Sequence, residues 1–171
     1  HGNECAGSVV ATRLLHARPP RRGSIRVIQD LNPDGHAAKR RGNARGVDLN
    51  RNFPGTWRPI RTAGPAPASE VETRLAMQLI RRLRPDVTIW FHQPQGLVRA
   101  WGASMPIARR YARLAGMRFA RLRRPPGTAT AWQAGAMPAS RSFVVELAPG
   151  ELGIRAAGRY AGAILRLSRA E

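Results

Sequence analysis

Two short runs constrain this chain more than anything else in it. Residues 87–92 (VTIWFH) and 142–147 (SFVVEL) are almost wholly β-branched, aromatic or aliphatic, and each carries one titratable group near its end. A run that is apolar at successive positions suits a strand covered on both faces; a half-exposed strand would alternate. Helical periodicity surrounds these runs. Residues 4–17 place Val9, Val10, Leu14 and Leu15 close to a 3.6 period, and Pro19-Pro20 stops them. From Ser69, a capping box with Glu72 predicts a helix whose apolar face is Leu75, Leu79, Ile80 and Leu83, ending at Pro85. Residues 106–116 and 151–169 read as helices, the latter with Ile154, Ala157, Ala161, Ile164 and Leu165 inward. Residues 24–29 (SIRVIQ) and 117–122 read as strands, Asn32-Pro33-Asp34-Gly35 as a turn, and 36–68 and 123–141 as irregular. Helices alternating with short apolar strands predict an α/β fold: a mixed, mostly parallel sheet flanked by helices. The length, 171 residues, suits a single domain spanning 1–171.

The charge narrows the partners. Lys+Arg is 29 and Asp+Glu is 10, a net charge of +19. All the basic residues but Lys39 are arginines, and they run from Arg13 to Arg169 without gathering into a stripe. That distribution points to a compositional bias and a general affinity for anionic surfaces, with no dedicated nucleic-acid partner. No apolar run approaches the ~18 residues of a membrane span. Cys5 is the only cysteine, which excludes an intrachain disulfide or an all-cysteine zinc site.

Chemistry gathers at a few residues. His1 and Glu4 form H-x-x-E, a spacing that sets both side chains on one face of a helical turn, able to grip a cation. Two histidines and a glutamate form a catalytic zinc set with one position open for water, and His92, at the mouth of a buried strand, is the candidate for the third ligand. Its competing reading is a hydrogen-bonded core histidine. His16, late in a helix, suits the helix C-terminus, and His36 follows a turn and reads as solvated. Glu146 is an acid within an apolar strand, either salt-bridged to an arginine or poised as a general base. In GVDLNRNFP (46–54), Asn50 and Arg51 offer a fork of donors for a carboxylate; the alternative is a loop of internal Asx-turns.

In order, HGNE, NPDG, GVDLNRNFP, SEVET at a helix start, a strand ending in His, and FVVEL resemble the zinc carboxypeptidase family of the carboxypeptidase A type. The likeness runs from His1 to about Gly150. It is nearest to the bacterial murein peptide amidases, which remove diaminopimelate from γ-D-glutamyl peptides, through IWFHQP and GTATAWQ. The resemblance implies a zinc hydrolase of small peptides with a free C-terminal carboxylate, cell-wall peptides among them. It implies Zn²⁺ on His1, Glu4 and His92; Asp48 orienting the first histidine; Asn50 and Arg51 on the terminal carboxylate; Glu146 as general base; and Arg41 polarising the scissile carbonyl, with Arg40 and Arg45 as alternatives. Arg141 is a candidate for a second substrate carboxylate, the alternative and favoured reading being a solvated loop residue.

Two departures qualify the likeness. The family's lid tyrosine has no counterpart in 123–141, since Tyr111 and Tyr160 fall in predicted helices; Trp132 or Gln133 is the candidate replacement. The family's zinc motif follows a strand, whereas here it is the first tetrapeptide, so the expectation is a domain lacking the first strands of its sheet. Two rivals remain on residues alone. One is a copper-binding N-terminal histidine, disfavoured by the α/β pattern and the single cysteine. The other is a non-catalytic, basic, anion-binding fragment of such an enzyme. The expected compartment is the bacterial cytoplasm or cell envelope, with the envelope favoured by a cell-wall substrate.

Overall fold

Strand β4 (Arg141–Glu146) is the axis of the sheet. It pairs in parallel with β1 (Val87–His92) on one side and antiparallel with β2 (Leu97–Ala100) on the other, and β2 pairs in parallel with β3 (Arg118–Arg121). The computed structural model describes residues 1–20, 23–123 and 125–168. The order β1-β4-β2-β3 realises the mixed, mostly parallel sheet expected from the two apolar runs.

Alternation along these strands makes two faces. Val98, Ala100, Phe143 and Val145 point to one, where α1 (Ala6–Leu15), α4 (Met105–Ala115) and α6 (Ile154–Leu167) cover them with Val10, Tyr111, Ala161 and Ile164. Phe143 and Val145 are fully buried, and each such side chain contributes about 1.5–3 kcal/mol of burial. On the other face Trp90 meets Phe53 and Trp132, backed by Ala76, Met77 and Ile80 of α3 (Val71–Leu83) and by α5 (Ala129–Ala136). Helix α4 stops at Gly116 in the left-handed region (φ 64°), and α3 stops at Arg84 just before Pro85. No helix among the described residues is long and apolar enough to cross a membrane.

The local departures have local causes. Asn32-Pro33-Asp34-Gly35 does not merely turn: Asn32 caps a short helix α2 (Pro33–Ala37), its side chain accepting from the Gly35 N–H at 3.0 Å. The expected capping box at Ser69 does not form. Helix α3 begins after Glu70, and the Ser69 hydroxyl donates instead to the Glu70 carboxylate at 2.6 Å. Leu75 and Ile154, expected to point inward, are 57% and 66% exposed. The closing helix ends at Leu167, and Arg169 lies outside the described residues. Within 123–141, expected to be irregular, α5 forms from Ala-rich sequence.

Residues 24–29 are not a strand. They form no ladder with β1, and a cavity of about 720 Å³ is lined by Ile25, Val27 and Ile28 of this segment and by Val87, Ile89 and Phe91 of β1. Helix α1 holds the segment instead: Ser8 Oγ donates to the Gln29 carbonyl at 3.2 Å, and Gln29 Nε2 donates to Thr12 Oγ1 at 2.7 Å.

Candidate active site

His1 and Glu4 lie just ahead of α1, and His92 closes β1. Glu4 holds the two rings together. Its carboxylate reaches His1 Nδ1 at 2.9 Å through one oxygen and His92 Nδ1 at 2.8 Å through the other. The two Nδ1 atoms stand 3.1 Å apart, with ring centroids 4.6 Å apart. His1 Nε2 meets Asp48 Oδ1 at 2.9 Å. Arg41 spans the acids, donating from Nε to Asp48 Oδ2 at 2.9 Å and from Nη1 to Glu4 Oε1 at 3.2 Å. Of the three arginines considered for this position, Arg41 reaches the cluster, while Arg45 faces Glu70.

Backbone packing explains the approach. A Cβ at Gly2 would sit 2.1 Å from the Gly35 carbonyl carbon and 2.5 Å from the Arg40 oxygen, so only glycine lets His1 lie against the α2 region. Gln93, not singled out from sequence, ties the parts together. Its N–H donates to Glu4 Oε2 at 3.2 Å, its Oε1 accepts the Ala6 N–H at 3.0 Å, and its Nε2 donates to the carbonyls of Ala148 and Gly150. The sequence signal for it is its place directly after the strand-ending histidine.

Electrostatics follow the geometry. Burial raises the Asp48 carboxyl, but His1, Arg41 and Arg51 outweigh it and bring the pKa down to about 2. Burial likewise opposes ionisation of Glu4, and hydrogen bonds from His1 and His92 overcome it, leaving Glu4 far below the ordinary range. Burial pulls on both histidines. In His1 the bonds to Asp48 and Glu4 win and the pKa rises; in His92 burial wins and it falls.

Two imidazole nitrogens and a carboxylate oxygen, all within 4.8 Å of one another, suit a cation. With His1 Nε2–H donating to the Asp48 carboxylate, His1 Nδ1 presents a lone pair toward a carboxylate and toward a second imidazole. That crowding is unfavourable unless a proton or a metal ion lies between them. Zinc bonds of ~2.0–2.1 Å would space the donors by roughly 3.3 Å, close to the separations here.

Glu146 sits beside His92 in register across the β1–β4 pair. Burial, then the Glu4 charge, push its pKa up, against the opposing charge of Arg99. Its Oε2 is buried with no hydrogen-bond partner. No ion pair to an arginine holds it among the described residues, so the salt-bridge reading does not apply.

Asn50 and Arg51 lie on a 3₁₀ turn capped by Asp48, whose side chain accepts the Asn50 N–H at 2.9 Å. Asn50 Oδ1 accepts the Ala129 N–H at 3.0 Å, and Arg51 Nη1 donates to the Asn50 carbonyl at 2.7 Å. The Asn50 amide nitrogen and the rest of the Arg51 fork have no partner among the described residues. Gly127 (φ 67°) packs where a Cβ would lie 2.0 Å from the Arg51 carbonyl oxygen, which presses the segment before α5 against this turn. Loop 43–70 is braced by buried Glu70, which accepts from Asn43 and Ser69, and by Asn52, which bonds Ala63, Ala66 and Ser69.

Two expectations fail here, and a third is refined. Arg141 opens β4 at the end opposite Glu146, and its Nη1 donates to the carbonyls of Pro138, Ala139 and Ser140, so it braces its own loop away from the site. Neither Trp132 nor Gln133 is a lid: Trp132 fills the core beside Phe53, and Gln133 is fully buried, donating to Thr88 and Ser140. His36 is not simply solvated; its Nδ1 pairs with Asp30 Oδ2.

Comparison with known proteins identifies similar chains. Residues 21–106 match the zinc carboxypeptidase family (Peptidase_M14), a stretch that contains Arg41, Asp48, Asn50, Arg51 and His92. Murein peptide amidase A of Escherichia coli K12 is 35% identical over 111 residues, which cover 55% of this chain and 46% of that protein. The namesake from Vibrio campbellii is 32% identical over 115 residues, covering 57% and 46%. The chain thus spans about half the length of the curated relatives it matches. Among solved structures, murein-tripeptide amidase of E. coli O157 superposes with a TM-score of 0.80 at 26% identity, over 100% of this chain and 78% of that one. Carboxypeptidase A of Helicoverpa armigera shares the fold, with a TM-score of 0.73 at 17% identity, covering 97% and 58%.

Proposed function

Because the chain belongs to the zinc carboxypeptidase family, we propose that it is a zinc-dependent hydrolase that removes the C-terminal residue from a small peptide, with murein peptides of the γ-D-glutamyl-diaminopimelate type as its substrates. One observation carries this reading. His1, Glu4 and His92 converge on one point, and Glu146 stands beside His92 in strand register.

His1, Glu4 and His92 would hold the ion. When bound, zinc supplies Lewis acidity and lowers the pKa of water. Asp48 keeps the His1 Nε2 proton and so fixes Nδ1 as the donor atom. Glu146 accepts the proton of the attacking water and passes it to the leaving amine; burial raises its pKa toward the working range of such a base. Arg41, fixed by Asp48 and Glu4, has its remaining guanidinium nitrogen for the developing oxyanion. Asn50 and Arg51 take the terminal carboxylate and set which bond lies over the cluster. The names of the similar amidases support the cell-wall substrate, and a net charge of +19 favours encounter with anionic wall or peptide.

The test offers the zinc-loaded protein two substrates: a murein tripeptide and an α-linked dipeptide with a hydrophobic C-terminal residue. Faster turnover of the tripeptide is expected. Preference for the dipeptide keeps the hydrolase and removes the murein assignment. No turnover of either, with anion binding intact, replaces the enzyme by a basic binding protein.

A further inference from the structure

Arg99 is unlike the other arginines of this chain. It lies on β2, and it is the one arginine among the described residues with a buried nitrogen, Nε, that lacks a partner. Other arginines considered for the site are engaged: Arg41 with Asp48 and Glu4, Arg51 with the Asn50 carbonyl, Arg141 with its own loop. Its direction follows from the register. Arg99 pairs with Val144, and Leu97 pairs with Glu146. Residues two apart share a face, so Arg99 and Glu146 rise from the same side of the sheet. Val98 and Ala100 point the other way into the core.

The position matters because β4 divides the site. His92, with His1 and Glu4 against it, lies on the β1 side of Glu146, and Arg99 lies on the β2 side. In the reaction proposed above, Glu146 delivers its proton to the leaving amine. The leaving residue therefore stands at Glu146, and on the β2 side, away from the cation cluster, Arg99 rises from the same sheet face. The same sheet face carries a second such group: Ser142 Oγ, two residues from Val144, is also buried without a partner. A hydrocarbon side chain would leave these groups unsatisfied, whereas an anionic one would satisfy the guanidinium.

We propose that Arg99 is a specificity-determining residue that binds a carboxylate on the side chain of the residue being released. This rests on the hydrolase reading and narrows it to C-terminal residues carrying a second acidic group. The inference also replaces Arg141 by a residue on the correct face.

The experiment has two arms. In the first, the zinc-loaded protein is titrated calorimetrically with free glutamate, diaminopimelate and leucine. In the second, kcat/KM is measured on γ-glutamyl peptides ending in diaminopimelate or leucine. Both arms are repeated with Arg99→Met, which keeps the stem length, and Arg99→Lys, which keeps the charge. The acidic ligands should win by ~10²-fold or more, the scale on which a polar site rejects a ligand lacking its partner group. Arg99→Met should erase the preference between acidic and neutral ligands, and Arg99→Lys should restore part of it. Equal handling of acidic and neutral ligands by the unsubstituted protein overturns the proposal, as does an undiminished preference in Arg99→Met. Should Arg99→Met fail to fold, the unsubstituted protein and Arg99→Lys still decide. Acid-selective binding without turnover keeps the Arg99 site and removes the hydrolase; turnover without acid selectivity does the reverse.

Discussion

The two sides of β4 solve opposite problems. On the β1 side, His1, Glu4, His92, Asp48 and Arg41 satisfy one another through bonds of 2.8–3.2 Å. On the β2 side, Glu146 Oε2 and Arg99 Nε are buried with no partner at all. Buried polar groups without partners cost about 1–3 kcal/mol each, so a fold retains few of them. The contrast teaches that the first side is a mould of mutually bonded donors around one point, while the second carries buried polar groups that no neighbour among the described residues satisfies.

Substitutions can break the contrast, and the largest effect falls on the mould. His92→Ala removes one of three convergent donors; zinc content after dialysis should fall from near one equivalent to background, and turnover with it. Full zinc occupancy in that variant would refute the ligand set. Glu146→Gln should do the opposite: zinc and thermal stability stay, because Gln fills the same half-satisfied place, while kcat drops by at least ~10²-fold. A variant that unfolds or stays active marks Glu146 as structural. Asp48→Asn keeps the shape of the mould but weakens its hold on the His1 proton. A loss of zinc affinity of ~10- to 100-fold is expected in a competition titration with a chelator. An unchanged affinity would mean that His1 is oriented by Glu4 and Gly2 alone.

The smallest effect is a pH dependence of the metal-free protein. Asp48 and Glu4 have depressed pKa values in the fold, so the stability they confer is present above their ordinary values and is lost as pH falls through the folded ones. For Asp48 that window runs from the ordinary 3.8 down to about 2. Thermal melts should show a midpoint that declines across it, and Asp48→Asn should flatten the decline. Glu146, whose pKa is raised, contributes with the opposite sign, so Glu146→Gln should steepen acid sensitivity slightly.

Much of the β1 side was legible in the sequence. VTIWFH and SFVVEL are continuous apolar runs, and their terminal His and Glu are conspicuous because ionisable groups there need a reason. H-x-x-E supplied His1 and Glu4 through local spacing, while the parts of Asp48 and Arg41 came from the resemblance to the zinc carboxypeptidase family. The β2 side was not legible. LVRA is only four residues with a charge inside, too short to show a period, and Arg99 is one arginine in a chain whose basic residues are all Arg but Lys39. Only register singles it out, and register is a long-range property. The same holds for 24–29: SIRVIQ has strand composition, but a strand exists only where a neighbour offers its hydrogen bonds, and here no ladder forms with β1, the two segments lining one cavity. Helix α5 hid in Ala, Thr and Gly because what holds it is Trp132 against Phe53 and the Asn50 side chain at its first turn.

The approach of His1 and Glu4 to His92 has a consequence for the chain as a polymer. The two histidines are 91 positions apart. A cation bridging them would tie α1 to the end of β1 much as a covalent cross-link would, closing a loop through α2, α3 and the whole 3₁₀ turn that carries Asn50 and Arg51. A permanent link over such a loop removes about 4–5 kcal/mol of entropy from the unfolded ensemble. Metal ions that exchange at the site would then also set how often this loop can open, and amide hydrogen exchange in α1 should slow when zinc is added.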